Sequence, residues 1–173
     1  MTIAFLDVHY EGEAARAACV LVESWEADAP SATFVQDIEA VEPYEPGSFY
    51  RRELPCLVSV LRLLPSAPDA VVIDGYVWLA SLDRAGLGAW LYESLCRATP
   101  VVGIAKTAFA GAESSDCVMQ VFRGSSRHPL FVTAAGMELE AAARHVRAMA
   151  GKHRIPEIVR TADQLSRGKV SSA

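Results

Sequence analysis

The chain has 173 residues, 51% hydrophobic and 21% charged, with a formal net charge of −5. That length supports one domain spanning 1–173 with a sizeable core, and a mean hydropathy of +0.20 excludes a disordered chain. No apolar run approaches the ~18 residues of a membrane helix, and Asp7 interrupts an amino terminus that lacks a basic region, so neither a membrane span nor a signal peptide is expected.

Residues 3–8 form a short apolar run with strand character, ending at the turn-like Glu11-Gly12-Glu13. Small and β-branched residues (Ala17, Ala18, Val20, Val22) make 14–23 a strand hairpinned onto the first, and a third strand is expected within 32–38. The segment 44–55 follows. Pro46-Gly47 marks a turn, and Pro55 suits the first turn of a helix whose apolar face is Leu57, Val60, Leu61 and Leu64. Glu53 is therefore expected near a helix N-terminus, where the dipole favours an acid. Pro65 and Pro68 end that helix. Residues 70–74, Ala-Val-Val-Ile-Asp, read as a buried strand that delivers a carboxylate at its C-terminal edge. Residues 85–96 read as helix, and 100–106 as a second buried strand ending in Lys106. Apolar segments 117–122 and 130–133 flank Arg123-Gly124-Ser125-Ser126-Arg127-His128-Pro129 as a hairpin. Residues 138–150 are helical with a stop at Gly151, and 158–166 make a last short helix. A meander leading into β-α-β units predicts an α/β architecture, a mixed central sheet flanked by helices, which is the layout of the ribonuclease H-like fold.

The chemistry lies in where the charges fall. Taken singly, Asp7 in a turn, Glu53 at a helix start, Asp74-Gly75 at a strand exit and Lys106 at a strand end are ordinary surface features. Taken together, apolar strands ending in charge recur along the chain, and β-α-β geometry can bring their ends to one edge. Carboxylates meeting there repel one another and call for a cation. Hard oxygen ligands suit Mg²⁺, or Mn²⁺, and such a site hydrolyses phosphodiesters. The net charge is low for a nucleic-acid enzyme, but bound divalent cations invert the field of an acidic site. Cys19, Cys56, Cys96 and Cys117 show no CxxC spacing and read as reduced, mostly buried thiols of a cytoplasmic protein. His128, His145 and His153 lie in or near basic stretches and read as solvated.

These residues carry a resemblance. Phe5-Leu6-Asp7-Val8-His9-Tyr10 is similar to the first-strand motif of the endonuclease V family. Tyr44-Glu45-Pro46-Gly47 followed by Arg52-Glu53-Leu54-Pro55 resembles its second motif, Val72-Ile73-Asp74-Gly75 its third and Val102-Gly103-Ile104-Ala105-Lys106-Thr107 its fourth. Leu130-Phe131-Val132-Thr133-Ala134-Ala135-Gly136 resembles a later strand-and-glycine motif. Arg154-Ile155-Pro156-Glu157 with Arg160-Thr161-Ala162-Asp163 is similar to the C-terminal one.

The resemblance implies a ribonuclease H-like nuclease that cleaves DNA or RNA on the 3′ side of inosine. It also implies metal ligation by Asp7, Glu53 and Asp74, with Lys106 and Asp163 completing the catalytic set. Tyr44, Pro46 and Gly47 would form a wedge beside the lesion, and Gly75 would lie in the loop that receives the flipped base. That loop departs from the family pattern. Where the family continues His-Gly and then His-Pro-Arg, this chain has Tyr76-Val77-Trp78-Leu79-Ala80-Ser81-Leu82-Asp83-Arg84. The departure leaves open a nuclease with a different target, or a catalytically impaired nucleic-acid-binding protein on the same scaffold.

Overall fold

The computed structural model describes residues 1–43, 49–79, 81–112 and 115–169, with backbone only for 81–83. In chain order the elements are β1 (Ile3–Glu11), β2 (Ala14–Val22), β3 (Ala32–Ile38), α1 (Phe49–Leu61), β4 (Ala70–Asp74), β5 (Trp78–Leu79), β6 (Ser81–Ala85), α2 (Leu87–Ser94), β7 (Val101–Ala105), β8 (Met119–Val121), β9 (Leu130–Ala135), α3 (Leu139–Ala148) and α4 (Glu157–Ser166).

Seven strands form one mixed sheet in the order β3-β2-β1-β4-β7-β9-β8. The first three make the expected antiparallel meander. β1, β4 and β7 run parallel to one another, and β9 and β8 close the far side as an antiparallel pair. With α1 and α2 against one face and α3 and α4 against the other, this is the ribonuclease H-like layout.

Side-chain alternation divides the core into two layers. Ile3, Phe5, Val20, Val72, Val102, Ile104 and Val132 pack beneath α3 and α4. Ala4, Leu6, Cys19, Leu21, Val71, Ile73 and Val101 pack beneath α1 and α2. Strands β4 and β7 are buried on both faces, which is why they read as unbroken apolar runs.

Four details differ from the sequence reading. α1 begins at Phe49, so Pro55 lies inside it and no acid occupies its first turn. Glu53 is thus placed by packing rather than by the dipole. Burial of Cys56, Leu57 and Val60 against the sheet offsets the ladder bond that Pro55 removes. The segment after Asp74 folds as a two-stranded ribbon, β5 with β6, and α2 is shorter than residues 85–96. His145 stacks on Trp25 at 4.5 Å between centroids, half-buried rather than solvated.

Candidate active site

Strand register builds the site. β1 pairs with β4 from Ile3↔Ala70 to Leu6↔Ile73, so the next position sets Asp7 beside Asp74, both on the face that carries α4. β4 pairs with β7 through Asp74↔Ile104, which leaves Lys106 just past the neighbouring strand end. Parallel strands ending together deliver their terminal side chains to one edge.

Lys106 Nζ donates to Asp74 Oδ2 in an ion pair that is partly open to solvent. From the α4 face, Ser166 Oγ shares its one proton between Asp7 Oδ2 at 2.5 Å and the Asp163 carbonyl at 2.8 Å. Asp163 itself accepts from Arg167 Nε at 3.0 Å.

Glu53 enters from the opposite face. Its neighbour Arg52 anchors α1, donating from Nη2 to the Gly12 carbonyl at 3.0 Å and lying 4.2 Å from the centroid of the Tyr10 ring. The result is an open cleft of about 480 Å³ lined by Asp7, Tyr10, Phe49, Glu53, Asp74 and Arg167, among others.

The electrostatics follow from this crowding. Burial, then repulsion from Asp7 and Asp74, pushes the Glu53 carboxyl up to about 8. Burial also raises Asp7. The Ser166 hydrogen bond and Lys106 pull it down, whereas Asp74 and Asp163 add to the rise. A negative charge on Glu53 is therefore disfavoured unless a cation joins it. Among the described residues no group of three acidic, histidine or cysteine side chains is placed to hold a metal ion as it stands. Lys106 and Ser166 instead satisfy one oxygen each on Asp74 and Asp7. By donor chemistry, three carboxylates around an open cleft suit a hard divalent cation.

The structure thus brings Asp7, Glu53, Asp74, Lys106 and Asp163 to one edge, with Gly75 directly after Asp74. Tyr44, Pro46 and Gly47 lie outside the described residues. Gly75 has φ +128, and its N–H donates to the Ile104 carbonyl at 3.1 Å.

Other supporting residues were given no role by the sequence reading, although Gly103, Thr133 and Arg154 stand in its motifs. Ser166 follows Asp163 by one helical turn, a spacing that could have suggested it. Thr133 Oγ1 accepts the Val77 N–H at 2.8 Å. Gly103 leaves room for that turn, since a Cβ there would stand 2.5 Å from the Gly75 carbonyl oxygen. Arg154 Nη2 donates to the Lys106 carbonyl and, at 2.7 Å, to that of Pro129.

Val77 is fully buried against α2. Gly88 makes that possible, because a Cβ on it would meet Val77 Cγ2 at 2.7 Å. The Tyr76 and Val77 carbonyls accept the Gly88 and Gly86 N–H groups at 3.0 and 2.8 Å. Tyr76 Oη donates to the Thr107 carbonyl at 2.7 Å and Trp78 Nε1 to that of Ala134 at 2.9 Å.

Comparison with known proteins agrees with this architecture. The chain is 30% identical over 97% of its length to endonuclease V of Streptomyces avermitilis, covering 80% of that protein. It is 33% identical over 97% of its length to the Streptomyces coelicolor enzyme, covering 78% of it. The crystal structure of the Streptomyces avermitilis protein superposes with a TM-score of 0.75 at 26% identity, covering 97% of this chain and 80% of that one. Ciona intestinalis endonuclease V, in complex with a 23mer DNA containing an inosine followed by a ribo-adenosine, shares the fold. Its TM-score is 0.78 at 20% identity, with 97% of this chain and 84% of that one covered. The family model described as Endonuclease V matches residues 1–164, and the chain belongs to the endonuclease V family.

Proposed function

We infer that this protein is a divalent-metal-dependent endonuclease that hydrolyses a phosphodiester on the 3′ side of inosine in DNA or RNA, with Mg²⁺ as the working ion and Mn²⁺ as a substitute. The observation that carries the reading is the meeting of Asp7, Glu53 and Asp74 around one cleft, with Lys106 on Asp74. Membership of the family supports the nuclease assignment. The inosine-containing DNA bound by the Ciona intestinalis relative supports the choice of substrate.

Asp7, Glu53 and Asp74 hold the ion in this reading. Once bound, it supplies positive charge to the phosphate oxygens and an activated water. Ser166 orients the Asp7 carboxylate by one oxygen. Lys106 carries its ammonium beside the attacked phosphate, where a fixed charge favours the transition state over the ground state. Asp163 adds to the acidic edge and is restrained by Arg167. Tyr44, Pro46 and Gly47 supply the wedge, and Gly75 begins the loop that receives the base. Four free cysteines, three of them buried, fit a reducing cytoplasm. None of the described helices is long and apolar enough to cross a membrane.

A second reading is favoured by Val77. It stands where the family pattern has glycine, and its side chain is buried in the core, so the base-receiving loop differs and the target base with it. Matched oligonucleotides containing inosine or adenosine, as DNA and as RNA, decide between them in Mg²⁺, Mn²⁺ and EDTA. The first reading expects cleavage 3′ of inosine leaving a 3′-hydroxyl, and none in EDTA. Equal cleavage of the adenosine strand establishes the second, and no cleavage of any strand removes both.

A further inference from the structure

Beyond the carboxylate cleft, a second concavity of about 360 Å³ is lined by Ser125, Ser126, Lys152, His153, Arg154, Ile155 and Arg160. In a chain of net charge −5, three cationic side chains and a histidine gather here, with two hydroxyls between them. Lys152 and His153 are exposed and make no ion pair among the described residues. Arg160 is held by Glu157 at 2.6 Å.

The pocket is built on fixed backbone. Buried Arg123 spreads its guanidinium over the carbonyls that end α3, reaching Val146 and Arg147 at 2.7 Å each, Met149 at 2.7 Å, and Gly151 at 3.0 Å. That sets where the chain turns into Lys152. Gly124, at φ +57, sits so close to the following peptide that a Cβ would lie 2.3 Å from the Lys152 carbonyl oxygen. The two walls of the pocket are therefore locked together by a glycine in the left-handed region. Ser126 is restrained in turn, its Oγ bonded to the backbone of His128.

The pocket is also joined to the catalytic edge. Arg154 lines it and donates to the carbonyl of Lys106, the residue whose ammonium meets Asp74. Arg154 also bonds the Pro129 carbonyl, so one guanidinium ties the pocket wall to the loop before β9 and to the backbone behind Lys106. On the opposite side the neighbouring cavity mixes Glu11, Asp37 and Glu39 with Arg16 and Arg167, a poor surface for phosphate.

We propose that this pocket is a phosphate subsite that grips the sugar-phosphate backbone of the substrate strand on the β9 side of the cleft, with Lys152 and His153 as its free donors. The proposal rests on the nuclease reading above. Backbone contacts of this kind position a strand without reading its sequence, and each one released on raising salt steepens the salt dependence of binding.

The test is fluorescence anisotropy of a labelled inosine-containing oligonucleotide in EDTA, titrated over a range of KCl. Wild type is compared with Lys152→Ala, Lys152→Glu and Arg62→Glu. Arg62 is exposed and lies beyond the end of α1, at the sheet edge opposite the cleft. The subsite predicts that Lys152→Ala lowers the slope of log K against log salt by about one contact's worth, ~0.7 to 0.9. Lys152→Glu then weakens binding further, and Arg62→Glu leaves slope and affinity near wild type. Inorganic phosphate should compete with the oligonucleotide on wild type more than on Lys152→Glu. Tight wild-type binding with an unchanged slope in Lys152→Ala overturns the subsite alone, as does an equal loss in Arg62→Glu. Phosphate perturbing the NMR signals of His153 while oligonucleotide affinity ignores Lys152 also overturns it, assigning the pocket to free phosphate. A wild type that binds no oligonucleotide overturns the nuclease reading together with the subsite.

Discussion

Two regions leave the same strand end and are held in different ways. At the carboxylate edge, Asp7, Asp74 and Lys106 are placed by strand register, and their surroundings make charge costly. Glu53 is raised by burial and by its neighbours. In the segment after Asp74 the stabilising contacts are neutral, packing and hydrogen bonds that reach to α2, β9 and the end of β7. Val77 is buried under Gly88, its N–H is taken by Thr133, and the Tyr76 and Trp78 side chains bond to backbone carbonyls. The difference shows how a family site can diverge. The electrostatic half depends on a few side chains at exact register, so change there removes chemistry. The packing half accommodates a buried valine at 77 because glycines elsewhere, at 86, 88 and 103, make room.

The largest expected effect breaks the first region. Asp74→Ala should lower the cleavage rate by about 10³-fold or more while leaving the fold intact, because the side chain is part-exposed at a strand end. Single-turnover cleavage with circular dichroism as the folding control measures it, and residual activity within tenfold of wild type would remove Asp74 from the site. Lys106→Ala should cost about 10²-fold in kcat, since it removes one fixed charge beside the phosphate.

Val77→Gly tests the second region. Loss of a fully buried side chain should destabilise the protein by ~2–4 kcal/mol, read from urea unfolding. If this loop sets the target, the ratio of inosine to adenosine cleavage should shift while the metal requirement stays. Thr133→Val keeps the shape but leaves the Val77 N–H without its acceptor, for a loss of about 1–3 kcal/mol and little change in metal affinity. A neutral result would show that the segment is held by α2 alone.

A last test returns to the first region through pH. Glu53 has a raised value in the folded protein, so the folded state holds the proton more tightly than the unfolded one. Stability from this group is complete below its ordinary value of 4.5 and is lost as pH rises toward about 8. Burial and repulsion within the cluster raise Asp7 in the same direction. In EDTA the melting temperature should therefore fall across that window, and Mg²⁺ should restore it at the alkaline end. Glu53→Gln should flatten the profile. A profile identical in Glu53→Gln and wild type would locate the titration elsewhere.

Much of the architecture was legible from local pattern. Apolar runs at 3–8, 70–74 and 100–106 bounded by charges, and the glycine and proline stops around them, carry their meaning in the residues themselves. The ribbon after Asp74 was not legible, because this stretch lacks clear alternation and Trp78 is held by a contact from β9. Pro55 misled the position of the first helix. A proline favours a first turn by local geometry, but packing of Cys56, Leu57 and Val60 extends α1 back to Phe49.

For the site, the sequence by itself determined which residues carry charge at the ends of apolar runs, since that is a property of composition and order along the chain. Only the tertiary structure decided their relations. Parallel register set Asp7 beside Asp74, two helices from opposite faces brought Glu53 and Ser166 to the same edge, and burial among like charges raised Glu53. Proximity between residues separated by up to 159 positions, as in Ser166 and Asp7, is a consequence of sheet pairing and layer packing, and no local pattern encodes it.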